Sequence, residues 1–130
     1  MSVGLLLVTH PGIAPALLAA AQKVVGNCPL KVAYFEMPFE SNVDAALPAA
    51  SAALRSVETE EGVLILVDLY GASPSTLAAK LARLGTPARR VAGLNLSMLL
   101  RVMNYPENSL EALQSVASLG GRNGVILDEI

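Results

Sequence analysis

The segment Val63-Leu64-Ile65-Leu66-Val67 is apolar at every position. A strand with one wet face alternates polar and apolar residues, so an unbroken apolar run between Gly62 and Asp68 marks a strand buried on both faces. Such a strand needs helices above and below it, and a mainly parallel sheet supplies them. The run ends on Asp68 and passes through Leu69-Tyr70-Gly71-Ala72 into Ser73-Pro74. Ser-Pro is a helix start, because serine accepts hydrogen bonds from free amides while proline occupies the first turn without losing one.

A second apolar run, Val3 to Val8, ends in Thr9-His10 just before Pro11-Gly12, and His10 is the only histidine in the chain. Pro-Gly stops the strand, which puts the imidazole at its carboxyl end. Open α/β sheets place their chemistry at that end, in the crevice where the winding changes direction. Right-handed crossovers make this first strand a neighbour of the Val63–Val67 strand. His10 and Asp68 are then expected to meet at one edge of the sheet.

The rest of the chain alternates in the same way. Apolar residues at helical spacing predict a helix from Ile13 to Val25, stopped by Gly26. Leu30 to Phe35 reads as a strand, Glu36 to Glu40 as a polar loop, and Ser41 as the cap of a helix running to Ser56. Pro48 implies either a kink in that helix or a regular part that begins near it. After the helix opened by Ser73, ended by Gly85 and Pro87, a fourth strand is expected over Arg90 to Leu94. Ser97 is expected to cap a short helix. Asn108 and Glu111 have capping-box spacing for a further helix closed by Gly120-Gly121. Gly124 to Leu127 reads as a short last strand that pairs at an edge or reaches a second subunit. The expected fold is therefore α/β: one domain over residues 1–130, with an open, mainly parallel, doubly wound sheet and helices on both faces.

Bulk properties exclude several classes. The 130 residues suffice for one core without disulfides or a structural metal. Charged residues make up only 15% against 53% hydrophobic, which tilts the reading towards apolar surface covered by a partner copy, a homodimer. A net charge of −2 with scattered Lys and Arg argues against nucleic acid. No apolar run nears the roughly 18 residues of a membrane span, so membrane insertion is not expected. The first residues lack the pattern of a secretory signal, and the default location is cytoplasmic. The single cysteine, Cys28, has no neighbours of ligand type.

A lone histidine is by default structural, but three neighbours of His10 change its meaning. A carboxylate that holds the proton on one ring nitrogen leaves the other with a free lone pair, and Asp68 is placed to be that carboxylate. The backbone of Gly71, Ala72 and Ser73 at a helix start is an ordinary way to bind phosphate. Thr9 can add a hydroxyl beside the ring. No nucleophile-elbow pattern supports a serine hydrolase, and no ligand spacing supports a metal site. Neither metal nor cofactor is expected. A histidine nucleophile beside an anion site suits phosphoryl transfer through a phosphohistidine.

These motifs resemble a known family. Val8-Thr9-His10 after an apolar strand, the long Gly62 to Pro74 segment, Val91-Ala92-Gly93-Leu94-Asn95-Leu96-Ser97-Met98-Leu99 and Gly121-Arg122-Asn123-Gly124-Val125 are similar, in the same order, to the IIA component of the mannose-family phosphoenolpyruvate-dependent sugar phosphotransferase system. The resemblance implies that His10 accepts a phosphoryl group from the phosphocarrier HPr and passes it to a IIB component. It implies that Asp68 orients the ring, and that the Gly71 to Ser73 amides with the Ser73 hydroxyl receive the phosphate. It also implies a dimer in which a carboxyl-terminal strand is exchanged. Two departures stand out: Pro11 follows the histidine where glycine is common, and Tyr70-Gly71-Ala72 stands for a Trp-Gly-Gly. The alternative is a flavodoxin-like or receiver-type signalling domain with Asp68 as the phosphorylated group, although a receiver uses an acidic cluster after its first strand and a lysine after its last.

Overall fold

The computed structural model describes residues 2–128. Among them, four strands alternate with four helices and a fifth helix follows: β1 (Gly4–Thr9), α1 (Ile13–Val25), β2 (Val32–Glu36), α2 (Val43–Ser56), β3 (Val63–Val67), α3 (Ser73–Leu81), β4 (Ala88–Ala92), α4 (Leu96–Met103) and α5 (Leu110–Asn123). The sheet is parallel throughout and ordered β2-β1-β3-β4. Every residue of β1 and β3 is buried, while β2 and β4 at the edges are half-exposed. The doubly apolar run is thus an inner strand, as its composition requires.

Alternation along the two inner strands divides the core. Leu5, Leu7, Leu64 and Leu66 point into one cluster with residues of α1, α4 and α5. Leu6, Val8, Ile65 and Val67 point into the other with residues of α2 and α3. Each fully buried leucine or isoleucine contributes about 1.5–3 kcal/mol relative to exposure. At the start of β1, Gly4 lies against the Val57 carbonyl so closely that a Cβ there would overlap it. Glycine is needed at this position for proximity, not for backbone freedom.

Register places the carboxyl ends together. Val8 pairs with Val67 and Thr9 with Glu36, so β1, β2 and β3 finish at one level. The winding changes direction between β1 and β3, and the crevice expected of such sheets opens there.

Several boundaries differ from expectation. Helix α2 is capped by Asn42, which accepts from Ala45 N–H at 2.7 Å, rather than by Ser41, and it is assigned as one helix from Val43 through Pro48. Asn95, not Ser97, caps α4 through Met98 N–H at 2.8 Å. Ser109, not Asn108, caps α5 through Ala112 N–H at 3.2 Å. Strand β4 occupies Ala88–Ala92 rather than Arg90 to Leu94.

Helix α5 also runs through Gly120-Gly121 instead of closing there. These glycines serve packing: a Cβ on Gly120 would sit 2.6 Å from Arg101 Cβ, and one on Gly121 2.9 Å from Met98 Cε. The bare α5 face lets α4 approach, and that close fit offsets the roughly 1 kcal/mol helix penalty of each glycine. The expected last strand does not form within the chain. Residues 125–128 carry no strand assignment, and Val125, Ile126 and Leu127 are 74%, 75% and 96% exposed. A strand needs a partner, and none is offered to this segment at home. No helix among the described residues is long and apolar enough to cross a membrane.

Candidate functional site

His10 follows the last residue of β1, and Asp68 follows the last residue of β3. Because β1 and β3 are adjacent and in register at Val8 and Val67, the two side chains meet. His10 Nδ1 lies 2.7 Å from Asp68 Oδ2, and the same oxygen accepts from the His10 backbone N–H at 2.9 Å. The other oxygen, Oδ1, accepts from Leu69 N–H at 2.9 Å. Three hydrogen bonds fix the carboxylate, whose side chain is only 8% exposed. A carboxylate accepts but does not donate, so the Nδ1 side of the ring carries the hydrogen. In the neutral ring the second nitrogen, Nε2, then keeps its lone pair, on a side chain 24% exposed.

Thr9 is fully buried, and its hydroxyl is engaged on both sides. It donates to the His10 carbonyl at 2.8 Å and accepts from Ala14 N–H in the first turn of α1 at 3.1 Å. The hydroxyl therefore ties the loop at His10 to the start of α1. Gly12 precedes α1 at φ 89, a conformation that favours glycine. Its N–H donates to Glu36 Oε2 at 2.6 Å.

At the other side of the crevice, Gly71 also has positive φ, 87, and the chain turns there into α3. The residue before the helix is Ala72, with no side-chain cap, and Ser73 is the first helical residue. The expected capping role of Ser73 is thus not the one it takes. Ser75 and Thr76 are the first amides used, both donating to the Ala72 carbonyl at 3.0 and 3.1 Å. Among the described residues, the Gly71, Ala72 and Ser73 amides and the Ser73 hydroxyl have no intramolecular hydrogen bond. Pro74 follows without an N–H to satisfy.

Two residues that touch the His10–Gly12 loop are not singled out by the sequence pattern. Glu36 is one. The other is Phe39, whose ring stacks on His10 with centroids 5.5 Å apart and planes 28° apart. Both lie at or just beyond the end of β2, the strand beside β1, and that adjacency is the signal that points to them. A polar, proline-containing stretch looks like plain loop until the strand order is known.

The family model EIIA-man, described as "PTS system fructose IIA component", matches residues 4–118, which include every element named here up to most of α5. This chain belongs to the EIIA-man family. Its sequence is 28% identical over 127 residues to the PTS system mannose-specific EIIAB component of Escherichia coli strain K12, covering 96% of this chain and 39% of that protein. The EIIA-man chain thus spans about two-fifths of the length of the curated relatives it matches. Its fold superposes on the mannose/sorbose specific IIA subunit of the phosphotransferase system from Enterococcus faecalis with TM-score 0.87 and 27% identity, covering 100% of this chain and 97% of that one. A phosphotransferase system component EIIA from Streptococcus agalactiae, 19% identical, shares the fold at TM-score 0.80 over 95% of each chain. In this EIIA-man chain the open parallel sheet holds the His10–Asp68 pair at the carboxyl ends of its two inner strands.

Proposed function

We propose that the protein is a phosphohistidine carrier of a phosphoenolpyruvate-dependent sugar phosphotransferase system, receiving a phosphoryl group on His10 from HPr and passing it to a IIB component. One observation carries this reading: Asp68 Oδ2 lies 2.7 Å from Nδ1, which supports Nε2 as the nucleophile. In the forward step the Nε2 lone pair forms a bond to phosphorus as the bond from phosphorus to the donor histidine's nitrogen breaks. The donor nitrogen keeps that electron pair, and the proton stays on Nδ1 against Asp68. The ring gains cationic character, which the carboxylate offsets. Transfer to the IIB component is the same displacement run from the other side.

The amides of Gly71, Ala72 and Ser73, with the Ser73 hydroxyl, are assigned to the phosphoryl oxygens. They are unengaged among the described residues and stand at the start of a helix, where an anion is favoured. Thr9 serves by holding the loop. The receiver-type alternative fits less well, since both Asp68 oxygens are already engaged.

The reading includes a cytoplasmic homodimer. Edge strand β4 has one open side, and the apolar Val125-Ile126-Leu127 segment is exposed, as a segment exchanged between copies would be in the isolated chain. Incubation with phosphoenolpyruvate, enzyme I and HPr should give an acid-labile, alkali-stable label. Label that persists in His10→Ala overturns the site, and absence of label in the native protein with its cognate HPr overturns the function.

A further inference from the structure

Phe39 is 76% exposed, so core packing does not account for its placement. What it contacts is the His10 ring, in an offset stack with centroids 5.5 Å apart and planes at 28°. The chain delivers it there by a short, well-anchored route. Strand β2 ends in register with Thr9, and Met37 N–H then donates to the Thr9 carbonyl at 2.8 Å. The Met37 side chain is buried at 1% exposure, and Pro38 stiffens the next step. Phe39 follows directly.

We infer that Phe39 is a positioning residue for His10, covering one face of the imidazole and stabilising the cationic ring formed when Nε2 takes a phosphoryl group. This inference rests on the phosphocarrier reading and adds a residue to it. Asp68 acts in the plane of the ring at Nδ1, where it holds the proton. Phe39 acts perpendicular to that plane. The face of a phenyl ring is electronegative, and a cation within about 6 Å of its centroid is attracted to it. Neutral imidazole gains little from that attraction, so the stack favours the charged, phosphorylated ring over the resting one. It also closes one face to water and leaves Nε2 to be approached along its edge.

The test uses the full chain and three variants, Phe39→Ala, Phe39→Leu and Phe39→Trp, phosphorylated in single turnover by phospho-HPr. The His10 ring C–H signals are followed by NMR in the same samples. In Phe39→Ala those signals should lose the ring-current shift, and the phosphorylation rate should fall about three- to fivefold. Phe39→Leu keeps apolar bulk without an aromatic face and should be as slow as Phe39→Ala. Phe39→Trp should restore the rate. A labelled native protein with Phe39→Ala at the native rate, or with Phe39→Leu fully active, overturns the inference alone. A native protein that takes no label overturns the phosphocarrier reading and this inference with it.

Discussion

A single oxygen of Asp68 holds His10 twice, through the backbone N–H at 2.9 Å and through ring Nδ1 at 2.7 Å. One bond fixes where the residue sits and the other fixes how its ring faces. The two are separable by substitution.

Asp68→Asn keeps a side chain of the same size, and its amide oxygen can still accept from one N–H. It cannot act as a carboxylate towards the ring. We expect the fold to be retained by circular dichroism and the rate of His10 phosphorylation to fall roughly 10- to 100-fold, the loss of a charged hydrogen bond of about 1.5–3 kcal/mol. A native rate rejects the orienting role.

Ser73→Ala separates structure from chemistry. The hydroxyl caps nothing, since Ala72 precedes the helix and offers no side-chain cap. Urea unfolding should therefore change by less than about 0.5 kcal/mol, as for a surface substitution. Phosphoryl transfer should nonetheless slow several-fold. A large stability loss with unchanged transfer would assign Ser73 to the fold alone.

Gly12→Ala tests the turn after His10. A Cβ there meets nothing within 4 Å, so its cost is backbone strain at φ 89 and not collision. The expected destabilisation is about 1–2 kcal/mol in urea titrations. Glu36→Gln, which retains an acceptor for the Gly12 N–H, should be much milder.

Gly120→Ala sets helix propensity against packing. Propensity alone would stabilise α5 by about 1 kcal/mol, whereas the added Cβ would meet Arg101 Cβ at 2.6 Å. The collision is expected to win, with a net loss of about 1–2 kcal/mol by chemical denaturation. Ser115→Ala, on the exposed side of the same helix, should be neutral or slightly stabilising. A more stable Gly120→Ala would show that α4 yields easily.

The inner strands and their meeting point were legible in the sequence because apolar runs report burial directly. Val63–Val67 occupies its predicted bounds, and so does helix Ile13–Val25. The adjacency of β1 and β3 follows from winding rules, and it brings His10 to Asp68. Cap identities were off by one or two residues at Ser41, Ser97 and Asn108, because Ser and Asn near a helix start compete on equal terms and backbone geometry decides. Gly120-Gly121 looked like a stop because glycine's packing use depends on a helix not yet placed. Phe39 and Glu36 were hidden for a related reason. Each touches the His10 loop across a strand pairing, and no periodicity within their own segment records it.

The buried Thr9 hydroxyl, bonded forwards to the His10 carbonyl and onwards to Ala14 of α1, has a kinetic corollary for the proposed carrier. With the main chain moored at β1, at Asp68 and at α1, His10 is not built as a swinging arm. In the proposed carrier the partners would therefore have to come to the ring, not the ring to them.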